Sequence, residues 1–317
     1  MVLWGNKGVQ FVPDRDIPSL EGKVILVTGG NSGLGKQSIL ELAKHGPKEI
    51  WLGARSEAKA QDAIREITAQ VPNAPPIRFL AMDLASLASV RDAATTFRQH
   101  ADRLDILLLN AGIMAVPAAT THDGYEIQFG TNHLGHALLA QHLLPTLLHT
   151  AAQPGADVRV VVLSSLAHQY APAGAGILFD TLRSAAAPQT STTLRYGQSK
   201  LANLLYAQEL ARRHPALTVA AVHPGVVATN LANTMVAGSA LMRVGWWLAS
   251  CAIGVDVPTG ALNQLWAATA RGVESGAYYM PVGARSEVAK RWEAGSDVAE
   301  RLWEWTEEEL KGWARPE

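Results

Sequence analysis

The sequence of 317 residues predicts one α/β domain, a doubly wound parallel sheet of about seven strands with helices on both faces. Three observations carry this. Val24-Ile25-Leu26-Val27 is an unbroken apolar run, and parallel strands covered on both faces lose the polar alternation of half-exposed ones. Glycines at 29, 30, 33 and 35 then turn the chain sharply into a helix through Ser38–Ala43. Strand-like and helix-like stretches go on alternating at short spacing, which calls for right-handed crossovers and places ligands at the carboxyl ends of the strands.

The elements follow in order. Residues 1–21 read as an irregular lead-in, because Pro13, Pro18 and Gly22 prevent a long helix. Glu49–Arg55 is a second strand, and Ser56 caps a helix that ends before Pro72. Ile77–Met82 is a third strand ending at Asp83, and Ser86 opens a helix to His100. Leu104–Leu109 is a fourth strand running into Asn110-Ala111-Gly112. A long helix over 124–149, interrupted around 130–135, precedes the fifth strand, Val158–Leu163. Residues 166–195, rich in Ala, Gly, Pro, Ser and Thr, read as a surface insertion. Tyr196–His214 is a helix, Leu217–Val222 a sixth strand and Ala277–Met280 a short seventh. Residues 283–317 form a helical extension, which Trp303, Trp305 and Trp313 would pack down.

Composition excludes several function classes. A net charge of −1 with no basic tract gives no electrostatic case for nucleic acid. Cys251 is the one cysteine, which excludes an internal disulfide and fits a reducing compartment. Met1–Pro18 has no apolar core of a secretory signal, so a cytoplasmic location is expected. The apolar tract Val236–Val255 contains Arg243 and three glycines, a poor pattern for a stable membrane span.

The glycine turn places bare backbone N–H groups and the positive end of a helix dipole where a pyrophosphate could bind, although a tight strand-to-helix connection needs glycine too. Tyr196 and Lys200 lie four residues apart on one helix face. A tyrosine ordinarily titrates near 10, about three units too high for acid–base work at neutral pH, and an adjacent ammonium would favour its phenolate. Ser165, after the fifth strand, could hold a substrate oxygen against it.

T-G-x-x-x-G-x-G, N-A-G, S-S, Y-x-x-x-K and P-G occur in this order, in register with the predicted strands. Together they resemble the short-chain dehydrogenase/reductase family, with its Rossmann-type fold, over roughly residues 22–282. Ser164–His168 and Ser199–Asn203 look most like the retinol-dehydrogenase-type branch, and Leu302–Thr306 is similar to its fungal members. The resemblance implies a proton relay of Asn132, Ser165, Tyr196 and Lys200: Tyr196 exchanges the proton and Ser165 positions the carbonyl. Lys200 would lower the tyrosine pKa and bind the nicotinamide ribose. It further implies that Gly29, Asn31, Ser32, Gly33 and Leu34 line the pyrophosphate turn, and that Asp83 and Leu84 face the adenine. Asn110, Ala111 and Gly112 would face the adenosine ribose side, and Pro224, Gly225, Val227 and Thr229 the carboxamide. A homodimer through helices like 124–149 and 196–214 is the default expectation.

The second strand ends at Ala54 rather than at an acidic residue, and Arg55 follows. A carboxylate there would bind a ribose 2′-hydroxyl, whereas a guanidinium suits a 2′-phosphate, so NADP(H) is expected over NAD(H). Residues 230–257 are read as a substrate lid in which Met235, Leu241, Trp246 and Trp247 face a bulky apolar molecule, such as a retinoid- or steroid-like secondary metabolite. The competing reading, an interfacial membrane helix, lacks the basic residues of such a polar face. His133, His136, His142 and His149 share a helix without a Cys or carboxylate partner, so packed or solvated side chains are favoured over a metal site. The function expected is NADP(H)-linked interconversion of an alcohol and a ketone or aldehyde. A dehydratase or double-bond reductase on the same scaffold is the alternative, and a nucleotide sensor without turnover the rival from another class.

Overall fold

In the computed structural model, which describes residues 8–185, 190–227, 255–287 and 296–313, the first apolar run forms β1 (Val24–Thr28), all five residues buried. It pairs in parallel with β2 (Glu49–Ala54) on one side and β4 (Ile106–Leu109) on the other. β3 (Ile77–Ala81) lies outside β2, and β5 (Arg159–Leu163), β6 (Thr218–Val222) and β7 (Tyr278–Tyr279) continue beyond β4. The order is 3-2-1-4-5-6-7, with parallel pairing throughout. After β3 the chain returns to the other side of β1. The carboxyl ends of β1 and β4 therefore border the crevice where such sheets bind ligands.

The helices are α1 (Pro13–Asp16), α2 (Gly33–Ala43), α3 (Glu57–Gln70), α4 (Leu87–His100), α5 (Ile127–Phe129), α6 (Gly135–Ala151), α7 (Thr192–Arg213), α8 (Val257–Thr269) and α9 (Asp297–Leu310). Alternate strand residues feed two cores, as the two-residue period of a strand requires. Ile25, Val27, Ile50 and Leu52 pack with Ile39, Ile67 and Leu265 on one face. Leu26, Leu107, Val160 and Val162 pack with Phe97, Leu138, Leu205 and Leu302 on the other. Ser56 and Ser86 cap α3 and α4 through their hydroxyls.

Three sequence expectations change. The interruption in the long helix is a π-helical turn, Gly130–Leu134, joining α5 to α6 without a break. α7 begins at Thr192, because the Ser191 hydroxyl accepts from Leu194 N at 3.2 Å and starts the helix a turn before Tyr196. The 166–195 stretch is not merely laid over the surface: it forms 3-10 turns at Leu166–Tyr170 and Phe179–Thr181, and Ile177, Phe179 and Leu182 enter the core. A few large apolar residues there outweigh a small and polar average.

α9 lies across α6 and α7. Trp303 stacks on Tyr206 at 5.3 Å, Gln141 donates to Glu307 at 2.7 Å, and His133 bonds Thr306 at 2.9 Å. The chain itself thus covers part of the face that the homodimer expectation assigned to pairing. Among the described residues no helix is long and apolar enough to cross a membrane.

Candidate active site

The candidate nucleotide side of the crevice is built from backbone. Gly29 leaves β1 at φ +68°, and its N–H donates to Gly53 O at 2.8 Å. A Cβ at Gly35 would lie 2.4 Å from the Gly29 carbonyl oxygen, so only glycine lets α2 start this close to the strand. Ser32 occupies the N-cap position of α2 without a capping hydrogen bond, and no side-chain cap engages the N–H groups of that helix start. Asn31, Gly33 and Leu34 complete the turn, all partly exposed.

The N-A-G segment is tied to the end of β1. Thr28 Oγ1 accepts from Asn110 N at 2.9 Å and Ala111 N at 3.0 Å, and Asn110 Nδ2 donates to Thr28 O at 2.8 Å. Gln264, on α8, secures this corner: its Nε2 lies 2.5 Å from Ser38 Oγ and 3.3 Å from both Asn110 Oδ1 and Leu34 O. Arg55 follows buried Ala54 with its side chain 79% exposed, its guanidinium 4.0 Å from the Asp83 carboxylate. Leu84 turns its side chain into the core. Pro224, Gly225 and Val227 extend from the end of β6, where Val227 bridges to Val255. Thr229, Met235, Leu241, Trp246 and Trp247 lie outside the described residues, as does the lid segment apart from 255–257.

The candidate catalytic side is built mostly from buried side chains. Asn132, on the π turn, accepts from Ile113 N at 2.8 Å and donates to Ile113 O and Ser199 Oγ, both at 2.9 Å. Ser165 follows β5, its hydroxyl accepting from Ala167 N at 3.2 Å and near enough to the Tyr196 phenol to lower its pKa. Lys200 donates to Leu163 O at 2.9 Å, with Nζ 5.7 Å from the centre of the Tyr196 ring. A Cβ at Gly112 would meet Asn132 Oδ1 at 3.1 Å and Lys200 Nζ at 3.5 Å. All four relay candidates and the N-A-G glycine therefore converge in one place.

The electrostatics depart from expectation at one point. Burial pushes the Tyr196 phenol up to about 12, against a smaller lowering by the Ser165 hydroxyl. Lys200 does not pull it down: its ammonium lies beside the ring and directs a proton to Leu163 O. Burial also lowers Lys200 to about 8. Position four residues along a helix puts two side chains on one face, but it does not set which atoms meet.

The histidines of the long helix have separate partners. His133 bonds Thr306, His136 bonds Thr28 and Asn132 O, and His142 bonds Trp313 O, while His149 is exposed. Sequence reasoning missed Thr28, Ser199 and Gln264 as supports of the site. The first two lie inside motifs already singled out; Gln264 carries no local signal, because its contacts are more than 150 residues away in the chain.

A family model described as short chain dehydrogenase matches residues 23–177. Over 316 residues the chain is 40% identical to the short-chain dehydrogenase/reductase drtF of Aspergillus calidoustus, covering 93% of this chain and 96% of that one. It is 36% identical over 292 residues to retinol dehydrogenase 12 of Mus musculus, covering 90% and 85%. A crystal structure of an uncharacterized protein from Mycobacterium paratuberculosis matches with a TM-score of 0.71 and 31% identity, covering 96% and 98%. Similarity that runs nearly end to end, on the same doubly wound sheet, makes this chain a member of the short-chain dehydrogenase/reductase family of oxidoreductases, in its retinol-dehydrogenase-like branch.

Proposed function

We propose that the protein interconverts an alcohol and a ketone or aldehyde on a bulky apolar small molecule, using NADP(H). The observation that carries this is the convergence of Ser165, Tyr196, Lys200 and Asn132 around Gly112, with the Lys200 ammonium beside the tyrosine ring. Bound NADPH would supply the hydride. In reduction, the Tyr196 hydroxyl gives its proton to the substrate oxygen, which Ser165 holds in place. A phenol held up at about 12 keeps that proton at neutral pH, the form that reduction requires. Lys200, at about 8, is mostly charged there, and the proposed reaction has its ammonium turn from Leu163 O toward the phenolate as that charge forms. Asn132 fixes the segment around Ile113, so the N-A-G loop and the tyrosine helix keep their spacing.

The residues fit the cofactor. Glycines 29 and 35 leave room for the backbone to approach a pyrophosphate, and the N–H groups at the α2 start suit its charge. Buried Ala54 with exposed Arg55 favours a 2′-phosphate over a bare ribose. The apolar substrate class rests on the composition of residues 230–257.

The test is turnover of NADPH and of NADH with a panel of apolar ketones and aldehydes, read at the nicotinamide absorbance. NADPH consumption well above that of NADH is expected. Cofactor binding without turnover across the panel would favour a nucleotide sensor, and an NADH preference would overturn the cofactor assignment.

A further inference from the structure

His136 is used by none of the roles above, yet it joins the two sides of the site. It is 2% exposed, on the first turn of α6. Its Nε2 lies 2.9 Å from Thr28 Oγ1 and its Nδ1 3.0 Å from the Asn132 carbonyl oxygen. The network assigns its protons. A carbonyl can only accept, so Nδ1 carries the hydrogen and donates to Asn132 O. The neutral ring then accepts at Nε2. Thr28 Oγ1 already accepts from Asn110 N and Ala111 N, which leaves its own proton for His136, the alternative acceptor Leu108 O being 3.4 Å away. Burial first, opposed by the Asn132 bond and reinforced by the Lys200 charge, brings the imidazole down to about 3, so it is neutral at working pH.

The chain of hydrogen bonds continues. Asn132 Nδ2 donates to Ser199 Oγ, and Ser199 Oγ donates to the Tyr196 carbonyl at 2.8 Å. The end of β1, the N-A-G loop, the π turn and the backbone of Tyr196 are thereby linked through buried, satisfied groups. We propose that His136 is a positioning residue that sets the distance between the nucleotide side and the tyrosine helix, a role resting on the reaction proposed above. Because hydride transfer needs its reacting atoms in near contact, losing the bridge affects the chemical step more than binding.

The test compares His136→Phe, which keeps a ring but neither bond, with His136→Gln, whose longer amide can still accept from Thr28. Melting temperature, NADPH dissociation constant by fluorescence, kcat, KM and the isotope effect with NADPH deuterated at C4 are measured for each. His136→Phe is expected to lower kcat about ten- to a hundredfold, as loss of two hydrogen bonds implies. Its NADPH affinity should stay within about threefold by the same scale, and its isotope effect should rise. His136→Gln should recover most of kcat. A lower melting temperature with kcat and isotope effect unchanged would make the residue merely structural and overturn the proposal. If His136→Phe does not fold, His136→Asn replaces it: this shorter amide reaches the Asn132 carbonyl but not Thr28, so kcat equal to that of His136→Gln overturns the proposal. Tyr196→Phe is assayed alongside. Retained turnover there overturns the reaction and this proposal together, whereas its loss with unchanged His136→Phe overturns the proposal alone.

Discussion

The two walls of the crevice follow opposite plans. The nucleotide wall is mostly backbone: glycines at 29 and 35, the N–H groups of α2 without a side-chain cap, and one arginine 79% exposed. The proposed catalytic wall is mostly side chain: Asn132, Lys200 and Tyr196 are 0%, 4% and 9% exposed, the first two already hydrogen-bonded within the protein. On the proposed function, the difference separates affinity from chemistry. Exposed groups gain their worth from the ligand, so changing them alters binding. Preorganised buried groups lower a barrier, so changing them alters turnover.

Lys200 should break the division, since both walls depend on it in the proposed mechanism. Lys200→Met removes the charge that offsets the phenolate, an acid–base contribution of about 10²–10⁴-fold, and a charged contact to the cofactor of about 1.5–3 kcal/mol. Steady-state kcat/KM should therefore fall by about 10³-fold or more, with NADPH binding weakened as well. An effect on binding alone would show that the lysine does not assist the tyrosine.

Arg55→Ala sharpens the division from the other side. NADPH should bind roughly ten- to a hundredfold more weakly, the worth of a charge-assisted contact, while NADH affinity and kcat hold. Titrating both cofactors into both proteins measures this; equal losses would mean that Arg55 reads no phosphate.

The catalytic wall also has a cost in acid. Burial brings His133 and His136 to about 3 and His223 to about 4, below the ordinary 6.5. Above 6.5 both folded and unfolded chains hold these rings neutral. As pH falls below it, only the unfolded chain takes the protons, so stability is lost progressively toward the folded values. Each ring contributes up to about 1.4 kcal/mol per pH unit. Denaturant melts from pH 7 to 5 should show this decline, and His133→Leu should reduce its slope.

The smallest effect lies outside both walls. Thr306→Val leaves the His133 ring without its α9 partner and should cost about 1–3 kcal/mol of stability. Cofactor affinity and kcat should stay within about twofold. A larger change in kcat would show that α9 tunes the site.

Much of this was legible in the sequence, for identifiable reasons. Val24–Thr28 is buried on both faces and carries no polar residue before its last position, so it reads as strand; Ser56 and Ser86 announce helix starts because their hydroxyls replace missing acceptors. Tyr196 and Lys200 were found through spacing and Asn132 and Ser165 through the family resemblance, and the fold brings all four together. What spacing could not give was depth. The Tyr196 phenol rises because the side chain is buried, and that follows from packing far along the chain. His136 read as one of four similar histidines, since its partner Thr28 is 108 residues away. The segment 166–195 read as surface because its average composition hid Ile177, Phe179 and Leu182.

Tyr196→Phe tests the central claim most directly. It removes one hydroxyl and keeps the ring that packs beside Lys200. NADPH titrated into both proteins should give dissociation constants within about threefold of each other. Turnover of the best ketone or aldehyde should fall about 10²–10⁴-fold, the usual worth of a positioned acid. Turnover within a factor of about three of the parent would mean that the proton comes from elsewhere, and that the catalytic wall described here does not perform the chemistry.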